Sequence, residues 1–286
     1  MTGLKLEITL IKEKIRMTDT KKFSYKNIFS LKNNKIVILG GSGKMGINFS
    51  KSLSSAGAKV ILGDLNKKYT NSKIRYKYCD VSKDDSINNF FQSVIKDEKK
   101  INTLIYNVYS KPKNYYQKFE KYENSVWNEV INVNLSGAFK ASKLAINHFK
   151  KNNIKGKIVF VLSTYGLVGP DKSIYKNLNS KNNIYGGKFS LNTPASYTTS
   201  KSGLLGLTKY LATTFGKDNI RVNALTPGGV FDNQEKLFVK NYSKKVPLGR
   251  MARWHEYNGA ILFLSSDASS YMTGSNLIVD GGWTAW

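Results

Sequence analysis

Lys35-Ile36-Val37-Ile38-Leu39-Gly40-Gly41-Ser42-Gly43-Lys44-Met45-Gly46 is the stretch that decides the fold. Its first five residues, KIVIL, are an almost unbroken apolar run of strand length, as in a strand buried on both faces of a parallel sheet. Glycines 40, 43 and 46 follow as GxxGxxG, and a helix opens after them. Absent side chains allow a tight turn, approach of backbone to a pyrophosphate and close packing of helix on strand, and the helix N-terminus favours an anion. Ser42, Lys44 and Met45 stand among these glycines, so all six residues are candidate contacts. A glycine cluster alone would be a plain turn. Strand before, helix after and Asp64 downstream make it a dinucleotide-binding turn.

Working outward, further apolar runs at 59–62, 101–106, 157–162 and 220–225 read as buried strands, with a more polar one at 74–79 and a short last one at 277–279. Between them Ile87, Phe90, Phe91, Val94 and Ile95 keep helical spacing, and longer helices are predicted over about 125–149 and 196–215. This alternation predicts a Rossmann-type, doubly wound parallel sheet of about seven strands in a three-layer α/β/α sandwich. Asp64 closes the second strand. A carboxylate there can accept bonds from ribose hydroxyls and repel a 2′-phosphate, which favours NAD over NADP. Lys67 and Lys68 beside it pull the other way, and capping of the next helix is the alternative role for Asp64.

Tyr197-Thr198-Thr199-Ser200-Lys201 carries the chemistry. Residues four apart on a helix share one face. A free phenol, with a pKa near 10, is a poor acid or base in neutral water, and a neighbouring ammonium moves it towards working pH. Ser163 lies at the end of the preceding apolar strand, where its hydroxyl can stabilise a developing oxyanion.

In this order, the glycine turn, the serine and the YxxxK pair resemble a short-chain dehydrogenase/reductase of the single-domain type, over about 31–286. The resemblance implies a catalytic set of Asn134, Ser163, Tyr197 and Lys201. Asn134, in Asn132-Val133-Asn134-Leu135, would support the lysine through water. Asp80-Val81 resembles the pair beside the adenine. Asn107 is the one residue retained of the family's Asn-Asn-Ala-Gly segment. Pro227-Gly228-Gly229-Val230 resembles the nicotinamide-side loop, with Pro227, Gly228 and Val230 as cofactor contacts, and Lys201 would also hold the nicotinamide ribose. The ending through Thr273-Gly274 to Asp280-Gly281-Gly282 fits the same pattern. Two departures stand out. The fifth place of the glycine turn, commonly glycine, is Lys44, and the threonine common just beyond Val230 is replaced by the run Phe231-Asp232-Asn233.

Composition sets bounds on the rest. The 286 residues suit one α/β domain, here expected as an extension over 1–30 and a domain over 31–286 with an inserted loop at about 171–193. Residues 1–16 lack a small-residue cleavage site and do not read as a signal peptide, and Met17 is a second candidate start. No apolar run reaches the length of a membrane span. The single cysteine, Cys79, excludes an internal disulfide, fits a reducing cytoplasm and reads as a buried structural thiol. The net charge of +26 comes almost wholly from lysine. Bidentate recognition of phosphates and bases favours arginine. The charge therefore reads as a scattered, solvated surface that steers anions, and neither nucleic acid nor membrane is expected as a partner. His148 and His255 lack metal-ligand spacing, so no metal is expected.

The long stretch between Ser163 and Tyr197 exceeds the connection usual in the family. Tyr165, Tyr175, Tyr185, Lys172 and Lys188 give it hydroxyls and positive charge. A polar, sugar-like or sugar-nucleotide substrate is expected, by resemblance to members linked to bacterial surface-glycan sugar biosynthesis. A solvated insertion that never touches substrate is the plain alternative. A ketoreductase of a small ketone or acyl thioester and a cofactor-sensing regulator on the same fold are the competing functions. The resemblance further implies a homodimer or homotetramer built on the long helices.

Overall fold

Strand-length apolar runs have to bury both faces, and a parallel sheet between two helical layers does this. The computed structural model describes residues 24–286 apart from 69, 180, 182 and 185–188. The expectations for residues 1–23, Met17 included, and for Tyr185 and Lys188 fall outside the described residues. In chain order come α1 (Tyr25–Ile28), β1 (Lys35–Leu39), α2 (Lys44–Ser55), β2 (Lys59–Asp64), β3 (Ile74–Tyr78), α3 (Asp84–Glu98), β4 (Thr103–Tyr106) and α4 (Asn124–Ile131). They are followed by α5 (Gly137–Lys151), β5 (Lys157–Val161), α6 (Ala195–Phe215), β6 (Arg221–Pro227), α7 (Lys236–Ser243), α8 (Asn258–Ser265) and β7 (Asn276–Val279).

The seven strands form one sheet in the order β3-β2-β1-β4-β5-β6-β7, and every pairing is parallel. Period-two alternation divides their side chains between two cores. Val37, Leu39, Leu104, Tyr106, Ile158 and Phe160 pack with Phe90 and Phe91 of α3, Phe149 of α5 and Leu204 of α6. Ile36, Ile38, Ile105, Val159 and Val161 pack on the other face with Phe49 and Leu53 of α2 and with Ile261 and Leu264 of α8. The chain winds outward in both directions from β1 and β4. This opens a crevice at their carboxyl ends, where open α/β sheets bind ligands.

The Rossmann expectation therefore holds, with three differences in detail. The long helix predicted over 125–149 is present and runs without a gap from Asn124 to Lys151, but one turn, Asn132–Ser136, is π-helical and divides it into α4 and α5. The Tyr106 hydroxyl donates to the Val133 carbonyl. The other two differences are α7 and α8, helices the sequence reading did not assign. α7 carries Phe238 and Tyr242 into an aromatic cluster, and α8 is an apolar run too short for periodicity to separate helix from strand. Cys79 is buried as expected, and burial pushes its thiol up to about 12.

Candidate active site

The glycine turn takes its shape from contacts that leave no room for a Cβ. Gly40 has φ +74°, and a Cβ there would lie 2.6 Å from the Asn107 carbonyl oxygen. Asn107 Nδ2 donates to the Gly40 carbonyl at 3.0 Å and fixes the turn. A Cβ on Gly46 would meet the Gly40 oxygen at 2.5 Å and Gly41 Cα at 2.7 Å. Gly46 is thus set back from the cleft: it packs helix against turn and is not a wall residue. Gly43 differs, because its nearest neighbour to a Cβ is 3.5 Å away. It is the N-cap of α2, with no side chain capping the helix start. The first amides of that helix have no intrahelical partner. Ser42 Oγ is buried there without a hydrogen-bond partner. Unpaired donors and an orphaned hydroxyl beside a side-chain-free turn suit a diphosphate.

Asp64 closes β2 as expected. Its Oδ2 accepts from Ser42 N at 2.9 Å and its Oδ1 from Leu65 N at 2.8 Å. The carboxylate so anchored lines a cleft of about 1020 Å³, together with Ser42, Gly43, Lys44, Met45, Lys68, Asp80 and Val81. Asp80 Oδ1 is engaged by its own turn, accepting from Ser82 N at 3.0 Å and from Ser82 Oγ at 2.6 Å. The same cleft runs past Asn107 to Ser163, Tyr197 and Lys201, and Pro227, Gly228 and Val230 also line it.

At that end three side chains converge. β5 delivers Ser163 in extended conformation just past its end, 8% exposed, with Oγ accepting from Tyr165 N at 3.3 Å. The first turns of α6 carry Tyr197 and Lys201. Lys201 Nζ stands 5.8 Å from the centre of the Tyr197 ring and donates to the Val161 carbonyl at 2.8 Å. Burial pushes the Tyr197 phenol up, and a hydrogen bond with the Ser163 hydroxyl draws it partly back. Burial also brings Lys201 from 10.5 down to about 7. The expectation that the ammonium carries the phenol below its free value is therefore not met here, because desolvation of both groups dominates.

Asn134 is fully buried and is not a wall of the cleft. Its Oδ1 accepts from Ser110 N at 2.8 Å, and its Nδ2 donates to Ser200 Oγ at 3.0 Å. Ser200 Oγ in turn donates to the Tyr197 carbonyl at 2.9 Å. The asparagine thus braces the turn of α6 that holds the tyrosine and lysine. His148 packs inside, accepting from Ile101 N at 3.1 Å.

Several wall residues were not anticipated. Tyr109, Lys111, Tyr115, Tyr116, Asp232, Phe238, Tyr242, Met251 and Trp254 all line the cleft. Tyr242 Oη accepts from Gly229 N at 2.6 Å, and its ring stacks on Trp283 with centroids 4.5 Å apart. The i, i+4 pair Phe238 and Tyr242 was the signal available for α7. From the inserted loop, Tyr175, Ile184, Leu191, Asn192 and Thr193 reach the cleft, while Lys172, Ser173, Lys176 and Lys181 stand exposed. Lys172 is spent on bracing that loop, donating to Asn192 Oδ1 and to the Thr193 carbonyl, both at 2.8 Å.

Comparison with known proteins follows the same lines. The family model described as short chain dehydrogenase matches residues 34–176, and one described as enoyl-(acyl carrier protein) reductase matches 182–284. A D-arabinitol 2-dehydrogenase [ribulose-forming] of Candida albicans is 27% identical over 301 residues, covering 94% of this chain and 100% of that protein. An NADP-dependent mannitol dehydrogenase of Alternaria alternata is 29% identical, covering 90% of this chain and 95% of that protein. The crystal structure of a short chain dehydrogenase from Leptospira borgpetersenii serovar Hardjo-bovis with bound NAD+ is 32% identical, with a TM-score of 0.80 over 92% of this chain and 98% of that one. Among the described residues no helix is long and apolar enough to cross a membrane.

Proposed function

The chain belongs to the short-chain dehydrogenase family, and from that premise we propose that it interconverts a secondary alcohol and a ketone on a polyol or sugar-like substrate, with NAD preferred to NADP. One observation carries the reading: Ser163, Tyr197 and Lys201 meet at one end of a cleft whose other end is the glycine turn closed by Asp64. The polyol relatives and the tyrosine hydroxyls around the cleft support the substrate class. The anchored Asp64 supports NAD.

The nicotinamide, when bound, supplies the carbon that accepts or gives up hydride. The α2 amides with Ser42, Gly43, Lys44 and Met45 would hold the diphosphate. Asp64 would hold the adenosine ribose, with Asp80 and Val81 beside the adenine. Asn107, Pro227, Gly228, Val230 and Lys201 would hold the nicotinamide half. In oxidation Tyr197 Oη takes the proton of the alcohol, and in reduction it returns that proton to the ketone oxygen. Ser163 Oγ donates to the same substrate oxygen and stabilises charge as it develops. Lys201 places its amine beside the Tyr197 ring, 5.8 Å from its centre, where it can take part in moving the proton. Asn134 acts from behind through Ser200, and the water relay expected of it belongs to this proposal. A dimer or tetramer through the long helices belongs to it too, supported by Phe139 of α5 and Tyr210 of α6, which stand 55% and 65% exposed.

The test is a panel of sugar alcohols, ketoses, sugar nucleotides and a β-ketoacyl thioester, assayed with both dinucleotides by the absorbance of the reduced cofactor. Turnover of a polyol–ketose pair with NAD supports the proposal. A second reading, reduction of an acyl thioester, is favoured by the match of 182–284 to the enoyl-(acyl carrier protein) reductase model and by the apolar Phe238 and Met251 in the wall. Turnover of the thioester alone would establish it instead.

A further inference from the structure

Lys44 and Asp232 both line the cleft. Lys44 opens α2 directly after Gly43, at the helix start suited to an anion. Asp232 follows the turn at the end of β6, beyond Val230. Their side chains meet: Lys44 Nζ donates to Asp232 Oδ1, and the same ammonium lies 5.9 Å from the centre of the Trp254 ring. The aspartate side chain is 11% exposed and the lysine 63%. A largely desolvated negative charge is thus built into the wall of a groove suited to a diphosphate. It also lies close enough to Tyr109 and Lys111 for its charge to act on both. These two positions, 188 residues apart, are among those where the sequence departs from the family's habit, and they are in contact.

We propose that Lys44 and Asp232 work as one unit, in which the ammonium neutralises the carboxylate so that the cleft accepts a dinucleotide diphosphate. The proposal rests on the reading of this cleft as a dinucleotide site. Without Lys44 the carboxylate would keep only the influence of Lys111, an ammonium itself weakened by burial, and would repel the incoming phosphates through a partly desolvated path, where charge is poorly screened. With the ammonium in place the pair is locally neutral, and the helix-start amides bind the anion unopposed. The value of Lys44 therefore depends on Asp232. A lysine serving as an independent phosphate anchor would not show that dependence.

The experiment is a fluorescence titration with NADH of the wild type, Lys44→Gln, Lys44→Arg, Asp232→Asn and the Lys44→Gln/Asp232→Asn double variant, with thermal melts establishing that each is folded. Lys44→Gln should weaken binding by about tenfold or more, since it strands a shielded charge. Lys44→Arg and Asp232→Asn should each stay within about threefold of wild type, and the double variant should recover to about the same range, the mark of coupled residues. A double variant as weak as Lys44→Gln, or a Lys44→Gln without effect, overturns the proposal while leaving the dinucleotide site intact. A folded wild type that binds neither NADH nor NADPH overturns the site itself and this proposal with it.

Discussion

Lys201 Nζ donates to the main-chain carbonyl of Val161 at 2.8 Å, across 40 residues of sequence. Val161 ends β5, and Ser163 follows two residues later. A single bond therefore ties the helix bearing Tyr197 and Lys201 to the strand that delivers the serine. Asn134 holds the same turn of α6 from the other side through Ser200. The geometry of the three reacting groups is set by buried contacts behind the cleft wall.

The burial of Lys201 predicts a pH signature in stability. Its pKa falls from 10.5 to about 7. Between those values the unfolded chain holds a proton that the native chain has released, so this residue's contribution to stability rises with pH through that window and is least favourable below it. Lys201→Met removes the effect. Denaturant unfolding should show the variant's advantage over wild type largest at about pH 6, clearly smaller at about pH 9 and gone only above the unfolded lysine's value of about 10.5. The same difference at both pH values would mean that the amine titrates normally.

The raised phenol of Tyr197 predicts different pH behaviour in the two reaction directions. Reduction needs the protonated phenol, which is abundant at neutral pH. Oxidation needs the phenolate, whose population below its pKa grows about tenfold per pH unit. With a polyol–ketose pair, oxidation should climb towards alkaline pH while reduction stays comparatively flat. An oxidation rate independent of pH from about 6 to about 9 would contradict the assignment of the base.

The glycines of the turn separate folding from binding. Gly46→Ala forces a Cβ to 2.5 Å from the Gly40 oxygen, a backbone atom that cannot step aside cheaply, and should cost about 1–3 kcal/mol of stability. Gly43→Ala meets nothing closer than 3.5 Å. It should fold normally, yet weaken NADH binding by placing a methyl at the helix start. Denaturant melts and NADH titration measure the two effects. Equal loss of stability in both variants would contradict the described turn.

Cofactor choice should follow Asp64. Replacing it with serine removes the charge that opposes a 2′-phosphate while a hydroxyl remains for the ribose. The ratio of kcat/KM for NADP over NAD should rise by about tenfold or more. A wild type that already prefers NADP would refute this role, and Lys68, which shares the wall, would become the residue to examine.

The fold was legible because each strand announces itself twice, by an apolar run such as KIVIL and by the turn chemistry beside it. Ser163, Tyr197 and Lys201 were legible because their order along the chain maps onto strand end and helix face. The π-helical turn at Asn132–Ser136 was not, since apolar spacing does not separate one such turn from the α-helix on either side. Nor was the substrate wall. Tyr109, Asp232 and Tyr242 sit in loops or short helices, and only the folded chain sets one against another. The phenol's upward shift lay equally out of reach, because desolvation depends on burial by Tyr115, Tyr175 and their neighbours rather than on the spacing of tyrosine and lysine.

Tyr197→Phe tests the central claim most directly. It deletes one oxygen and leaves the ring's packing in place, so the variant should bind NADH within about threefold of wild type while turnover of the polyol–ketose pair falls by on the order of 10³-fold. Turnover kept within about tenfold of wild type, with cofactor binding intact, would contradict the account.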